Sequence, residues 1–334
     1  MRSNLFTKAA IGAAVLSTIA GAASAIDIWD FNVFSRSTIG TGSSGYGSDF
    51  QGAAGSVGNA WFNGFSLNDV AAASPSLSRA FYGGGDFSIG GTVTQDGIEV
   101  AGSVFVNWAT INGPVYAGGN LGGFGGTVNG NVSIAGTKTV GPILTVNGAL
   151  NEATPFSATL DVNGVSNQFL NLSNFAASLA PTATATNTFG QLVINATGPL
   201  TVVDIAASEL SSIWGVKVAG TGTVVLNVSG SAVSFNSLTW TYEGGASGST
   251  TLLNLNEATM FNLSGGEHKV AILAPNAATH FSSGLVTGNL VVGSLTGSGQ
   301  VNWAPGGGFS GEVPAPGTAM LALAAGLIAT RRRR

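Results

Sequence analysis

The feature that most constrains this chain is a set of short apolar alternations, cut apart by glycine and asparagine, that recur along it. Ile98-Glu99-Val100, Ser103-Val104-Phe105-Val106 and Val128-Asn129-Gly130-Asn131-Val132-Ser133-Ile134 are examples. Alternation at period two with β-branched residues reads as strands, and Gly or Asn between them as tight turns. The segments also echo one another. Tyr82-Gly83-Gly84-Gly85-Asp86, ending in Gly90-Gly91-Thr92-Val93, returns as Tyr116-Ala117-Gly118-Gly119-Asn120, ending in Gly125-Gly126-Thr127-Val128. Farther along, Gly126-Thr127-Val128-Asn129-Gly130-Asn131-Val132 is matched by Gly284-Leu285-Val286-Thr287-Gly288-Asn289-Leu290. Short strands with small corners predict a mainly β chain wound as a β-solenoid (β-helix), each coil burying its inward side chains against the next.

One segment breaks the pattern. SNQFLNLSNFAASL, 166–179, places Phe169, Leu172, Phe175, Ala176 and Leu179 on one helical face, and Pro181 ends it. This predicts a helical insertion near the middle, at about 166–180, followed by an exposed TATAT linker. A shorter helical piece is expected at 206–213. With echoes on both sides of the insertion, 26–304 is expected to be one interrupted solenoid. The Gly-rich run at 305–312 reads as a flexible stalk.

Both ends read as addresses. Residues 1–25 have a basic start at Arg2 and Lys8, an apolar centre and Ala23-Ser24-Ala25, which is the form of an export signal. Cleavage there leaves Ile26 as the first mature residue, with Ala23 and Ala25 as the recognition positions. The last residues, 313–334, run Val313-Pro314-Ala315-Pro316-Gly317, an apolar stretch and then Arg331, Arg332, Arg333 and Arg334. A short transmembrane helix halted by a basic cytoplasmic end has this order. At about 1.5 Å per residue the apolar stretch 318–330 is about 20 Å long, short for a bilayer core of about 30 Å, which suits a transient anchor.

Charge and residue inventory narrow the function. Charged residues make up only 8% of the chain. Without the two termini, five bases face fifteen acids, so the body is acidic and lacks the basic surface that nucleic acid requires. The absence of cysteine excludes disulfides and thiolate chemistry. His268 and His280 are the only histidines and read as surface or turn residues. Asp96 and Glu99 are the closest acids in the solenoid part, but their odd spacing in a strand aims them at opposite faces, away from any shared glycosidic bond. Gly40-Thr41-Gly42-Ser43-Ser44-Gly45 spells G-x-G-x-x-G but is not followed by a helix, so it reads as a loop. Gly83-Gly84-Gly85-Asp86 has the letters of a calcium nonapeptide without its repetition. No catalytic, cofactor or metal residues are assigned.

Two resemblances become specific at this point. The tail resembles a PEP-CTERM sorting signal, the exosortase substrate tail of certain Gram-negative bacteria, with Ala315 where that family usually has Glu. The body resembles the choice-of-anchor A domain, a family of surface adhesive β-helix modules. That likeness is carried by Phe31-Asn32-Val33-Phe34, Ser48-Asp49-Phe50-Gln51-Gly52-Ala53-Ala54-Gly55, Leu226-Asn227-Val228-Ser229-Gly230 and above all Ala271-Ile272-Leu273-Ala274-Pro275-Asn276-Ala277. Together they imply an exosortase-type sorting protease as partner and an exported, non-enzymatic adhesive module, at the cell surface or in the extracellular matrix of a Gram-negative bacterium. Extracellular polysaccharide or another cell surface would be its target. The alternatives are an ice-binding-like solenoid, which needs an array of outward threonines, and a polysaccharide-active β-helix enzyme.

Overall fold

The computed structural model describes residues 27–70, 76–139, 143–304 and 308–313. Ala23, Ala25 and Ile26 of the expected export signal lie outside the described residues, and so do Pro314, Ala315, Pro316, Gly317, the apolar stretch of the tail and Arg331 to Arg334. Among the described residues no helix is long and apolar enough to cross a membrane.

The protein is mainly β, and its strands lie side by side in parallel. Phe81, Ile98, Val115 and Val132 are stacked neighbours, each coil of this region being 17 residues on from the last, as the hydrogen bond from Ser103 to Asp86 also records. Period-two alternation buries one set of side chains, Phe87 and Ile89, Val104 and Val106, and turns Ser88 and Phe105 outward. Each coil presents three sides. We call them the covered side (Phe81–Gly83, Ile98–Val100 and Val115–Ala117 in three successive coils), the open side and the third side (the first and second halves of the long strands Phe87–Gln95, Val104–Asn112 and Leu121–Val128).

At the corner between covered and open sides a polar ladder ties coil to coil. The backbone N–H of Asp86 donates to the Asn59 side-chain oxygen at 2.8 Å, that of Ser103 to Asp86 at 2.7 Å, that of Asn120 to Ser103 at 3.0 Å and that of Thr137 to Asn120 at 2.9 Å. Each short polar side chain thereby satisfies a donor that the turn would otherwise leave unpaired.

The chain begins in the middle of the stack. Val33–Ser35 pairs with Ala54–Ser56 on one edge and with Leu290–Gly297 on the other. From this junction the amino-terminal stack winds to Leu150–Asn151. The chain then crosses back and restarts at the opposite end with Gln191–Ala206, whose outer edge is covered by the antiparallel strand Thr186–Thr188. The carboxy-terminal stack winds inward from there until its last coil meets the first. The interruption expected near the middle of the sequence therefore separates two stacks that join through their first and last coils.

The crossing is made by helix α1, Val162–Ser178, capped by the Asp161 side chain accepting from Asn163 N–H. Its 17 residues span about 25 Å, about five strand spacings of about 4.8 Å, so it bridges both stacks. Val162, Val165, Phe169 and Ala176 form one apolar body with Phe31, Phe34 and Tyr82 on the amino-terminal side and Val291, Leu273, Leu252, Val225 and Val202 on the other. Toward its end the contacts turn polar. Ser173 Oγ donates to Asn254 Oδ1 at 2.6 Å, Asn254 Nδ2 donates to the Ser173 carbonyl and to Asn227 Oδ1, and Asn227 Nδ2 donates to the Ala176 carbonyl.

Several expectations are corrected. The helix starts four residues before 166, and its buried stripe includes Ser166 and Ser173 while Leu172 and Leu179 pack half-buried against it and Phe175 does not join the cluster, because side-chain hydrogen bonds to Arg36 and Asn254 let hydroxyls occupy core positions. The shorter helix is one and a half turns, α2, Ala207–Ser211. Thr182 is exposed as expected but tied to the stack, exchanging hydrogen bonds with Val202. The stalk is also docked where it is described. Phe309 is buried against Trp29 with ring centroids 4.9 Å apart, and its N–H donates to Asn289 Oδ1. Glu312 N–H donates to Thr223 Oγ1. Apolar burial outweighs the glycine content here.

Candidate functional site

The open side runs without a break across both stacks. Ile39 bridges Leu295 and Ala60, joining an outward column of Ser234, Asn262, His280 and Thr296 to one of Trp61, Ser88, Phe105 and Gly122. The carboxy-terminal half is mostly small and polar apart from the exposed Met260, with His280 Nδ1 3.2 Å from Thr296 Oγ1. The amino-terminal half is aromatic: Phe105 is 39% exposed, Trp108 67% and Phe124 78%.

Local backbone explains how so many rings stay outside. Trp108 drops out of the ladder between Asn107 and Ala109 and adopts φ 57°. A bulky residue in the left-handed region costs about 1–2 kcal/mol, and here the bulge throws the indole off the sheet. The rings sit over glycines of the next coil. A Cβ on Gly122 would stand 2.9 Å from Phe105 Cδ1, and one on Gly125 would stand 3.0 Å from Trp108 Cε3, so any larger residue would lift the ring away. Between Trp61 on one side and Trp108 on the other lies an open trough of about 430 Å³, floored by Ser88, Gly90 and Gly91 and edged by Asn63, Asn107, Thr41 and Ser43. The Gly40-to-Gly45 loop forms this rim as a tight hairpin in which Thr41 and Ser44 exchange backbone hydrogen bonds.

The third side bears an ordered array. Thr110, Thr127 and Thr145 stand in one column. Beside it Asn129 Nδ2 donates to Asn112 Oδ1, and Asn147 Nδ2 to Asn129 Oδ1, both at 2.7 Å. Along the sequence the dense threonine run is at 182–186. The relevant run is across coils, at intervals of one coil, where the sequence shows only isolated threonines.

The remaining candidates are tied to the fold. Glu99 is buried and accepts from Thr159 N–H and Oγ1, whereas Asp96 sits at a turn and accepts from Asn68. Asp86 belongs to the corner ladder. His268 is a core residue, correcting the surface reading: it is fully buried, its Nε2–H donates to the Gly265 carbonyl at 2.9 Å and its Nδ1 has no partner among the described residues. Burial holds its pKa below the ordinary histidine value. No cluster of three or more His, Cys, Asp or Glu able to hold a metal occurs among the described residues. Of the sorting motif only Val313 is described, half-buried against the apolar cluster under α1.

A family model described as "Putative Ice-binding-like adhesive domain" matches residues 53–303. No curated protein matches the chain. Among solved structures, the crystal structure of ice binding protein from an Antarctic bacterium Flavobacteriaceae is similar at 14% identity, over 82% of this chain and 81% of that chain, with a TM-score of 0.34.

Proposed function

The chain belongs to the ice-binding-like adhesive domain family, and from that premise we propose that it is an exported adhesive module of the cell surface or extracellular matrix, built as a β-solenoid of the choice-of-anchor A type. The observation that carries this reading is the open side, one flat parallel surface crossing both stacks with Ser, Thr, Asn and aromatic residues outward. Repeated weak contacts on such a face add up without any single deep pocket. Carbohydrate or another cell surface is the target, and the role is non-enzymatic, in keeping with Asp96 and Glu99 each serving a separate structural hydrogen bond. The leader ending in Ala23 and Ala25 exports the chain. Val313 to Gly317 and the four terminal arginines deliver it to an exosortase-type protease as a PEP-CTERM signal.

A strain lacking the protein is expected to lose adhesion and matrix retention, and unchanged values for both would overturn the reading. Mass spectrometry of the mature protein checks processing, with an amino terminus at Ile26 and a carboxy terminus near 313–317 expected.

One observation favours a second reading, ice binding: the Thr110, Thr127 and Thr145 column, with coil spacing of about 4.8 Å. Thermal hysteresis of the purified protein that disappears in Thr127→Tyr would establish it.

A further inference from the structure

We infer that the trough between Trp61 and Trp108 is a binding subsite for a neutral polysaccharide chain. The inference rests on the adhesive reading and gives that surface a specific ligand chemistry.

The lining decides the class. The trough combines indole rings with side-chain amides and hydroxyls, Asn63, Asn107, Ser88, Thr41 and Ser43, and among the described residues no charged one lines it. None of the five basic residues of the body is there to meet a polyanion, and that body carries fifteen acids that would repel one. A sugar has apolar C–H faces that stack on rings and hydroxyls that both donate and accept, which matches amides and hydroxyls and gives no advantage to charge. The register sets the dimension. Asn63, Gly90 and Asn107 follow one another on consecutive coils, so the coil that carries Trp61 and the one that carries Trp108 stand two strand spacings apart, about 10 Å, comparable with the length of a disaccharide repeat. Ser88 and Gly90 leave the coil between them low.

The strain at Trp108 is the second, independent sign. An indole held outside the sheet on a left-handed bulge, with a glycine beneath it to seat the ring, brings no core packing in return for its cost.

Gly90 gives a variant that fills the trough without disturbing the fold. Its φ is not in the left-handed region, and an added Cβ would meet nothing closer than Asn107 O and Asn63 Oδ1, both at the ordinary distance of 3.5 Å. The experiment is affinity electrophoresis of the full chain in gels containing hydroxyethyl cellulose, xyloglucan, dextran or, as the polyanion, alginate. Retardation by at least one neutral polysaccharide and not by alginate is expected. Gly90→Gln and Trp108→Ala should each weaken it about tenfold, while Trp214→Ala, an exposed tryptophan that lines no part of the trough, leaves it unchanged. Retardation by no neutral polysaccharide, preference for alginate, equal retardation of Gly90→Gln, or a Trp108-dependent self-association would each overturn the inference. Complementing the deletion strain with Gly90→Gln separates this inference from the adhesive reading. If adhesion persists while glycan retardation is equal to wild type, the trough inference falls and the adhesive reading stands. If retardation behaves as expected but the wild-type strain shows no adhesion, the adhesive reading falls and the trough remains.

Discussion

The two stacks solve the same packing problem differently. The amino-terminal stack repeats with 17-residue spacing from Phe81 to Val132, after longer coils from Val33 to Ala54 and from Ala54 to Phe81, and carries its own ties, the Asn59, Asp86, Ser103 and Asn120 ladder at one corner and the Asn112, Asn129 and Asn147 ladder on another side. The carboxy-terminal stack is irregular. Val224 pairs with Thr251, Leu252 with Ala271 and Ile272 with Leu290, so no two of these successive coils have the same length. Its outward positions on the covered side, Leu273, Asn254 and Asn227, are spent on holding α1. Regular coils can be tied from within because equivalent polar atoms fall into register. In the irregular stack the tie from Asn254 to Asn227 shares its amides with the helix carbonyls of Ser173 and Ala176, so these coils lean on an external splint, here α1 and the docked segment around Phe309.

Removing the splint should therefore affect the two stacks unequally. Phe169 is fully buried between Trp29 and Phe34, with ring centroids 5.6 and 5.3 Å away. Phe169→Ala should cost about 3–5 kcal/mol, read as a lowered denaturation midpoint. Hydrogen exchange should accelerate first around Val225, Leu252 and Leu273, before the strands from Ile98 to Val132. Equal acceleration in both stacks would show that the amino-terminal ladder does not make that stack self-supporting.

The reciprocal test is Asp86→Ala. It strands the Ser103 N–H, now held at 2.7 Å, and should cost about 1–3 kcal/mol, with faster exchange confined to the coils on either side. The smaller loss reflects a ladder whose other members remain, in contrast to the single splint.

The same contrast governs what was legible in the sequence. Strand character and corners were readable because alternation and Gly-Asn pairs are local signals. The echo of Tyr82 at Tyr116 spans two coils, as Tyr82 pairs with Glu99 and Glu99 with Tyr116. The echo of Gly126 to Val132 at Gly284 to Leu290 falls at the same corner, since Val128 and Val286 lie on the third side and Val132 and Leu290 on the covered side. What could not be read is that Val33 meets Leu290. Periodicity tells which residues may stack but not which coil follows which in space. The aromatic trough was hidden for a related reason: the coils of Trp61 and Asn107 are brought to one trough by register, and Trp108 reaches it through a bulge that breaks the alternation. The surface reading of His268 fails, and the burial of Ser173 goes unseen, because an imidazole and a hydroxyl at core positions look like surface residues until their hydrogen-bond partners are known.

Acidification should distinguish the stacks next. His268 is buried in the carboxy-terminal one, beside Phe235 at 6.0 Å between centroids, and burial keeps its pKa below 6.5. As pH falls through the ordinary histidine range the unfolded chain takes up the proton first. Stability is therefore fully present above about pH 6.5 and declines as pH falls until the lower folded value is reached, with a slope of at most about 1.4 kcal/mol per pH unit for one proton. Denaturant titrations of wild type and His268→Gln between pH 7 and pH 5 check it. A wild-type slope that survives in His268→Gln would assign the acid sensitivity elsewhere.

The smallest expected effect is a gain, and it lies in the regular stack. Thr94 is fully buried with no hydrogen-bond partner for its hydroxyl among the described residues, in the inward column that runs from Leu67 to Ile111. Its neighbours there are apolar, so the methyl group suits the site and the hydroxyl costs desolvation with nothing returned. Thr94→Val keeps the branched shape that the strand favours and should raise stability by about 1 kcal/mol, seen as a higher denaturation midpoint at unchanged slope. The gain should survive in a Phe169→Ala background, because the amino-terminal stack does not need the splint to order Thr94. If instead it vanishes there, the two stacks unfold as one unit, and the inner ladder alone cannot hold the amino-terminal coils together.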